Sequence, residues 1–162
     1  MAQLHHSRAI FAAFMLLLGG LVPALAQSPM ALLVTASASS SEPLELSLAD
    51  LDAMEQVTFR TTTIWTDGEV TFSGVPLASV LAGLDGASVE MVALNDYKVV
   101  MPMDAVQATA PIVATRMDGA PMLVRDKGPY WVVFPYDEGP EYQTETIYSY
   151  SIWQLNRLRV IE

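Results

Sequence analysis

The chain has 162 residues, 52% of them hydrophobic and only 16% charged, with a formal net charge of −10. It contains no cysteine and just two histidines, His5 and His6. That composition excludes a disulfide scaffold and thiolate metal sites, and the acidic balance argues against nucleic-acid binding, whose first footprint is a basic patch.

Much of the apolar excess lies at the front. Met1 to Arg8 is a short, mildly basic start, Ala9 to Val22 is nearly unbroken apolar sequence, and Ala24-Leu25-Ala26 is a small-x-small exit. Together they predict a secretory signal peptide over residues 1–26, cut between Ala26 and Gln27. The alternative is a retained anchor, but the run falls short of the roughly 20 residues that a membrane span needs. Cleavage would leave 136 residues, the size of one domain. It would remove one arginine, no acid and both histidines, leaving a charge of −11 with neither His nor Cys. Ser-His-Asp and Cys-His catalysis would then be excluded. Association with an anionic membrane surface is disfavoured by the same charge. The expected location is the periplasm or another compartment outside the cytoplasm.

Residues 27–43 are assigned as an exported N-terminal segment or linker, ending in the small-residue, Pro-terminated stretch Ser37 to Pro43. Within it, Ala31 to Thr35 reads either as a first strand or as a tether. Residues 44–162 form the predicted domain. Leu44-Glu-Leu46 alternates like a short strand. Ser47 with Asp50 three positions on is a capping-box pattern, opening a helix with Leu48, Leu51 and Met54 on one face. Val57 to Trp65 is a β-branched run, and Asp67-Gly68 turns it back into Glu69 to Phe72. A short helix is expected over Leu77 to Leu84. Val89 to Leu94 and Tyr97 to Met101 read as a hairpin around Asn95-Asp96, followed by another short helix through Ala108. Ile112 to Met117 and Met122 to Arg125 flank the turn signal Asp118-Gly119. Tyr130 to Phe134 is a continuous apolar run suited to a buried strand. Thr146 to Gln154 reads as helical, and Leu155 to Ile161 as a closing strand. The fold class is α+β, one domain with a mixed or antiparallel sheet and short helices.

The densest cationic group in sequence is Arg116, Arg125 and Lys127, three of the seven basic residues beyond position 26. Two guanidinium forks could hold a small anion bidentately. Alternatively, these side chains pair with Asp118, Asp126 and Asp137 on the surface. Aromatic residues concentrate late in the chain, where Tyr148 and Tyr150 would share a face if extended, beside the acidic Asp137 to Glu141 loop. Asp137, Glu138, Tyr148 and Tyr150 are therefore candidates for an interaction surface, since loops positioned by a sheet commonly carry function. Trp131, Phe134 and Trp153 read as packing residues. Met101-Pro-Met103 offers soft copper ligands but reads better as core filling. The acidic pairs show no convergence and no calcium-loop spacing.

The order of signals resembles the molybdopterin-binding domain of sulfite-oxidase-type oxidoreductases. The resemblance is carried by Phe72-Ser-Gly74-Val75-Pro76-Leu77, Tyr97 before Met101-Pro102, Ala114 to Pro121, Gly128-Pro129, Val132 to Pro135, and Trp153 with Leu155. It implies that fold over roughly Thr71 to Val160, and it places the hairpin and the Gly128-Pro129 turn, flanked by Arg116, Arg125 and Lys127 with Tyr130 or Tyr97 lining the site, on the cofactor-facing side. It also implies a cysteine thiolate on the metal, which this chain lacks. Where the family has Gly-x-Pro-x-Arg this chain has Trp131, and where it has Lys-Trp this chain has Ile152-Trp153. The expected function is a non-catalytic module, binding either a small anionic ligand at Arg116, Arg125, Lys127, Tyr130 and Tyr97 or a periplasmic protein partner, with no cofactor. The alternative is a molybdopterin-dependent oxidoreductase or its accessory subunit, holding the pterin without a cysteine ligand.

Overall fold

The computed structural model describes residues 30–36 and 42–162. The predicted signal peptide and cleavage site lie outside the described residues. Among those described, no helix is long and apolar enough to cross a membrane.

Among the described residues ten strands make one curled mixed sheet, as the strand-rich sequence predicts, with three short α-helices and four 3-10 turns. In chain order the elements are β1 (Leu32–Ala36), β2 (Leu44–Leu46), α1 (Leu48–Asp52), β3 (Val57–Thr62), β4 (Glu69–Pro76) and α2 (Leu77–Val80). There follow β5 (Ser88–Ala93), β6 (Lys98–Pro102), β7 (Ile112–Met117), β8 (Ala120–Pro121), β9 (Tyr130–Val133), α3 (Glu145–Tyr150) and β10 (Ile152–Ile161). The main path runs β2-β1-β10-β9-β7-β4-β3, and the β5–β6 hairpin pairs with β10 off that path. Among the described residues β1 and β10 pair in parallel, and the other ladders are antiparallel.

The periodicities explain the burial. In β3 every second residue turns inward, with Phe59 and Thr61 buried. All four residues of β9 are buried because both faces of the sheet are covered there. Tyr130 and Val132 enter a larger core with Leu51, Val75, Leu77, Leu155 and Leu158, while Trp131 and Val133 enter a smaller one with Phe59, Phe72 and Ile112. Met91 and Met101 are fully buried, as core filling requires. The capping box is present in α1, where the Ser47 hydroxyl accepts from the Asp50 N–H and the Asp50 side chain accepts from the Ser47 N–H.

Several boundaries depart from the sequence reading. Leu32–Ala36 is a strand seated beside β10, so the sheet reaches into the segment assigned as a linker. Gly74-Val75-Pro76 continues β4 rather than ending it. A Cβ on Gly74 would come within 2.1 Å of the Val113 carbonyl oxygen, so only glycine lets β4 approach β7 there. The strand returning from Asp118-Gly119 is only Ala120–Pro121. Pro121 cannot donate to the ladder, and Val124–Asp126 folds into a 3-10 turn. The last helix ends at Tyr150, and the strand begins at Ile152 rather than Leu155.

Candidate functional site

Strand β10 is irregular where it matters most. Its register slips against β9 between Ile152 and Leu155, and against β5 between Leu155 and Arg157. Gln154 adopts a positive φ of 54° within this stretch. Such bulges re-aim side chains that a regular strand would place in the ladder. Here Trp153 is 37% exposed rather than packed away. The irregular stretch is clipped on both sides, since the Gln154 N–H donates to the Lys127 carbonyl (3.0 Å) and the Gln154 carbonyl accepts from the Leu94 N–H (2.9 Å).

Trp153 and Gln154 form one wall of a cleft of about 420 Å³. Asn95 and Tyr97 of the β5–β6 turn, Tyr148 of α3 and Trp65 make up much of the remaining lining. Trp65 sits in the turn between β3 and β4, where the Thr63 hydroxyl accepts from the Trp65 N–H (3.0 Å) and bonds the Thr66 hydroxyl (2.8 Å). This turn aims the indole inward, to centroid distances of 6.0 Å from Trp131, 6.1 Å from Tyr136, 5.9 Å from Tyr148 and 5.9 Å from Trp153. Beneath the cleft the Tyr136 hydroxyl bonds the Ser151 hydroxyl at 2.5 Å. Burial pushes the Tyr136 phenol up to about 12. No lining residue carries a charge. The cleft is thus an aromatic enclosure with a few polar side chains, the usual composition of a small-molecule site.

Of the cations gathered from the sequence, Arg125 and Lys127 stay together and Arg116 is drawn away from them. Arg116 makes a bidentate pair with Asp52 at the end of α1, with contacts of 2.5 and 2.7 Å, and its guanidinium is committed there. The pair holds the Asp52 carboxyl below the usual carboxylate range. Arg125 faces Asp126 at 3.4 Å on the surface. Lys127 stacks its ammonium over the rings of Trp131 (5.6 Å) and Trp153 (5.4 Å). Arg125 and Lys127 border a depression of about 340 Å³ that Asp67 and Asp126 also line. Tyr130 is fully buried, so it lines no open site. Its hydroxyl has no hydrogen-bond partner among the described residues. Burial first, and the Asp52 charge second, push its pKa up to about 12. Tyr97 lines the aromatic cleft instead.

The proposed interaction surface is divided as well. Asp137 accepts from the Thr62 N–H (2.5 Å) and hydroxyl (2.9 Å), tying its loop to the edge strand β3. Those bonds hold its carboxyl below the usual range. Glu138 is exposed beside it. Tyr148 and Tyr150 lie on α3, and residues two apart on a helix do not share a face. Tyr148 enters the cleft, and both pack against the larger core.

Sequence reasoning passed over Trp65, Asn95 and Gln154, and it assigned Trp153 to packing. The sequence places Trp65 at the end of the Val57 to Trp65 run, whereas β3 stops at Thr62 and leaves the indole in the turn before Asp67-Gly68. A second basic group was invisible in sequence. Lys98, Arg157 and Arg159 meet on one sheet face through the β10–β5–β6 register, around the Glu90 carboxylate at 3.6 Å from Lys98 and 3.0 Å from Arg159.

No protein-family model matches the chain, and no curated protein matches it in sequence. Among solved structures it is similar to the sulfane dehydrogenase SoxCD from Paracoccus pantotrophus, with a TM-score of 0.60 and 18% sequence identity. The match covers 82% of this chain and 38% of that one, so this chain spans well under half the length of its neighbour. At that identity the likeness is one of fold. It supports the α+β architecture read from the sequence and leaves chemistry to the residues present.

Proposed function

We propose that this protein is a non-catalytic ligand-binding module acting outside the cytoplasm, and that the cleft between Trp65, Tyr97, Tyr148 and Trp153 is its binding site. The observation that carries the reading is the cleft itself, enclosed by aromatic rings and free of charged side chains. A catalytic centre for acid–base or nucleophilic chemistry needs a titratable or nucleophilic group placed against the substrate. The cleft offers Asn, Gln, Ser and Tyr side chains without a base beside any hydroxyl. The periplasmic location rests on the signal-peptide pattern of residues 1–26.

The residues do not fit a thiolate-held molybdenum cofactor. The chain has no cysteine, and no group of three or more His, Cys, Asp and Glu side chains converges among the described residues. Arg116, which could have met a pterin phosphate, is committed to Asp52. The second reading, a pterin-holding oxidoreductase or its accessory subunit, has the fold likeness to a sulfane dehydrogenase as its support. Elemental and pterin analysis of the protein purified from its own host separates the two. The proposal predicts no stoichiometric molybdenum and no pterin; about one molybdenum per chain would overturn it.

A further inference from the structure

We propose that the ligand of the aromatic cleft is a neutral saccharide, one or two sugar rings in size; this rests on reading the cleft as the binding site. Three observations lead there. First, the lining has no charge to meet an anion or a cation. Lys127 already lies over the Trp153 ring at 5.4 Å, so a second cation stacked on that indole would meet its repulsion.

Second, the polar capacity left over is mixed. The Asn95 carbonyl oxygen is taken by the Tyr97 N–H, and the Gln154 amide nitrogen donates to the Val124 carbonyl. No contact among the described residues uses the Asn95 amide N–H₂ or the Gln154 carbonyl oxygen. Both donors and acceptors thus remain, the Asn95 N–H₂ and the Gln154 carbonyl oxygen foremost, together with the Tyr97 and Tyr148 hydroxyls, which can act as either. Sugar hydroxyls are likewise donors and acceptors at once.

Third, the rings form a corner rather than a slot. Trp65 meets Trp153 at 62° and Tyr148 at 84°. A planar heteroaromatic ligand is held best between near-parallel faces. Mutually tilted faces suit a puckered ring, which turns C–H groups toward more than one of them. Tyr97, 59% exposed, and Trp153, 37% exposed, present the apolar area on which such a ring would rest. A volume of about 420 Å³ admits one or two sugar rings.

The test is calorimetric titration of the purified protein with methyl glucoside, methyl galactoside, N-acetylglucosamine and maltose. Adenosine, neopterin, choline and inorganic phosphate serve as the contrasting classes, each carried to about 10 mM. The proposal expects saturable binding of at least one saccharide. It expects at least a tenfold loss, about 1.4 kcal/mol, in Trp153→Ala and in Tyr97→Ala, with no change in Arg125→Ala. Tyr97 is exposed enough that its replacement leaves the fold intact should Trp153→Ala fail to fold. Binding of adenosine or neopterin alone, lost in the same variants, overturns the saccharide and keeps the cleft as the site. Saccharide binding that survives both replacements overturns the site as well. Absence of binding by every probe overturns both.

Discussion

Replacing Arg116 tests whether this side chain is a ligand contact or part of the frame. Its two contacts with Asp52, at 2.5 and 2.7 Å, join β7 to the end of α1, and each side chain is about one-third exposed (29% and 35%). Two unit charges about 4 Å apart attract by about 4 kcal/mol at an effective dielectric of 20. Partial exposure, desolvation and side-chain ordering remove most of that, and exposed pairs are worth about 0.2–1 kcal/mol. Bidentate geometry places this pair at the top of that range, so a coupling of about 1 kcal/mol is expected. The assay is a double-mutant cycle of Arg116→Ala and Asp52→Ala, followed by urea unfolding at low salt and neutral pH. The Asp52 pKa is lowered in the folded state. The coupling is therefore present above the ordinary Asp value of about 3.9 and fades as pH falls through the lower folded-state value. A coupling indistinguishable from zero at neutral pH, or one that grows on acidification, would refute this assignment.

Tyr130→Phe is expected to be neutral or stabilising, because its buried hydroxyl has no partner among the described residues and removing it relieves a desolvation cost; a loss above about 1 kcal/mol in urea unfolding would reveal an unseen partner. Tyr130 and Tyr136, both pushed up to about 12, favour the neutral phenol in the folded state. Their contribution is complete below the unfolded value of about 10 and is lost as pH rises towards 12, each shift being worth on the order of 2–3 kcal/mol. Phenolate absorbance should show Tyr130 and Tyr136 ionising well above the ordinary tyrosine value, together with unfolding. Gly74→Ala should cost about 3 kcal/mol or more, because the added carbon meets backbone atoms of Val113 and Ala114 that cannot rotate away. A midpoint unchanged in urea would show that β4 can move off β7.

How much of this was legible in sequence depends on the range of the interaction. Local patterns carried well: the Ser47–Asp50 box, the Asn95-Asp96 hairpin and the apolar run of β9 each follow from a few neighbouring residues. Leu32–Ala36 stayed ambiguous because its parallel partner, β10, lies more than 120 residues away. The candidate site was less legible for the same reason. Trp65, Tyr97 and the Tyr148–Trp153 stretch come from three separate places in the chain, and the bulged part of β10 supplies Trp153. Arg116, Arg125 and Lys127 showed the converse. Proximity in sequence suggested a cluster, whereas the Asp52 contact draws Arg116 to α1 and the 3-10 turn carries Arg125 to the surface.

The central claim, that the aromatic cleft is where a ligand binds, is tested most directly by nitrogen-15 NMR. The three tryptophans of the chain give three indole N–H signals, assignable by single replacements. On titration with a saccharide that binds calorimetrically, the Trp65 and Trp153 signals should move with saturation, together with the Asn95 and Gln154 side-chain amides. Shifts confined to Arg116 and the Arg125–Lys127 turn, with the indoles and these amides unmoved, would contradict the account.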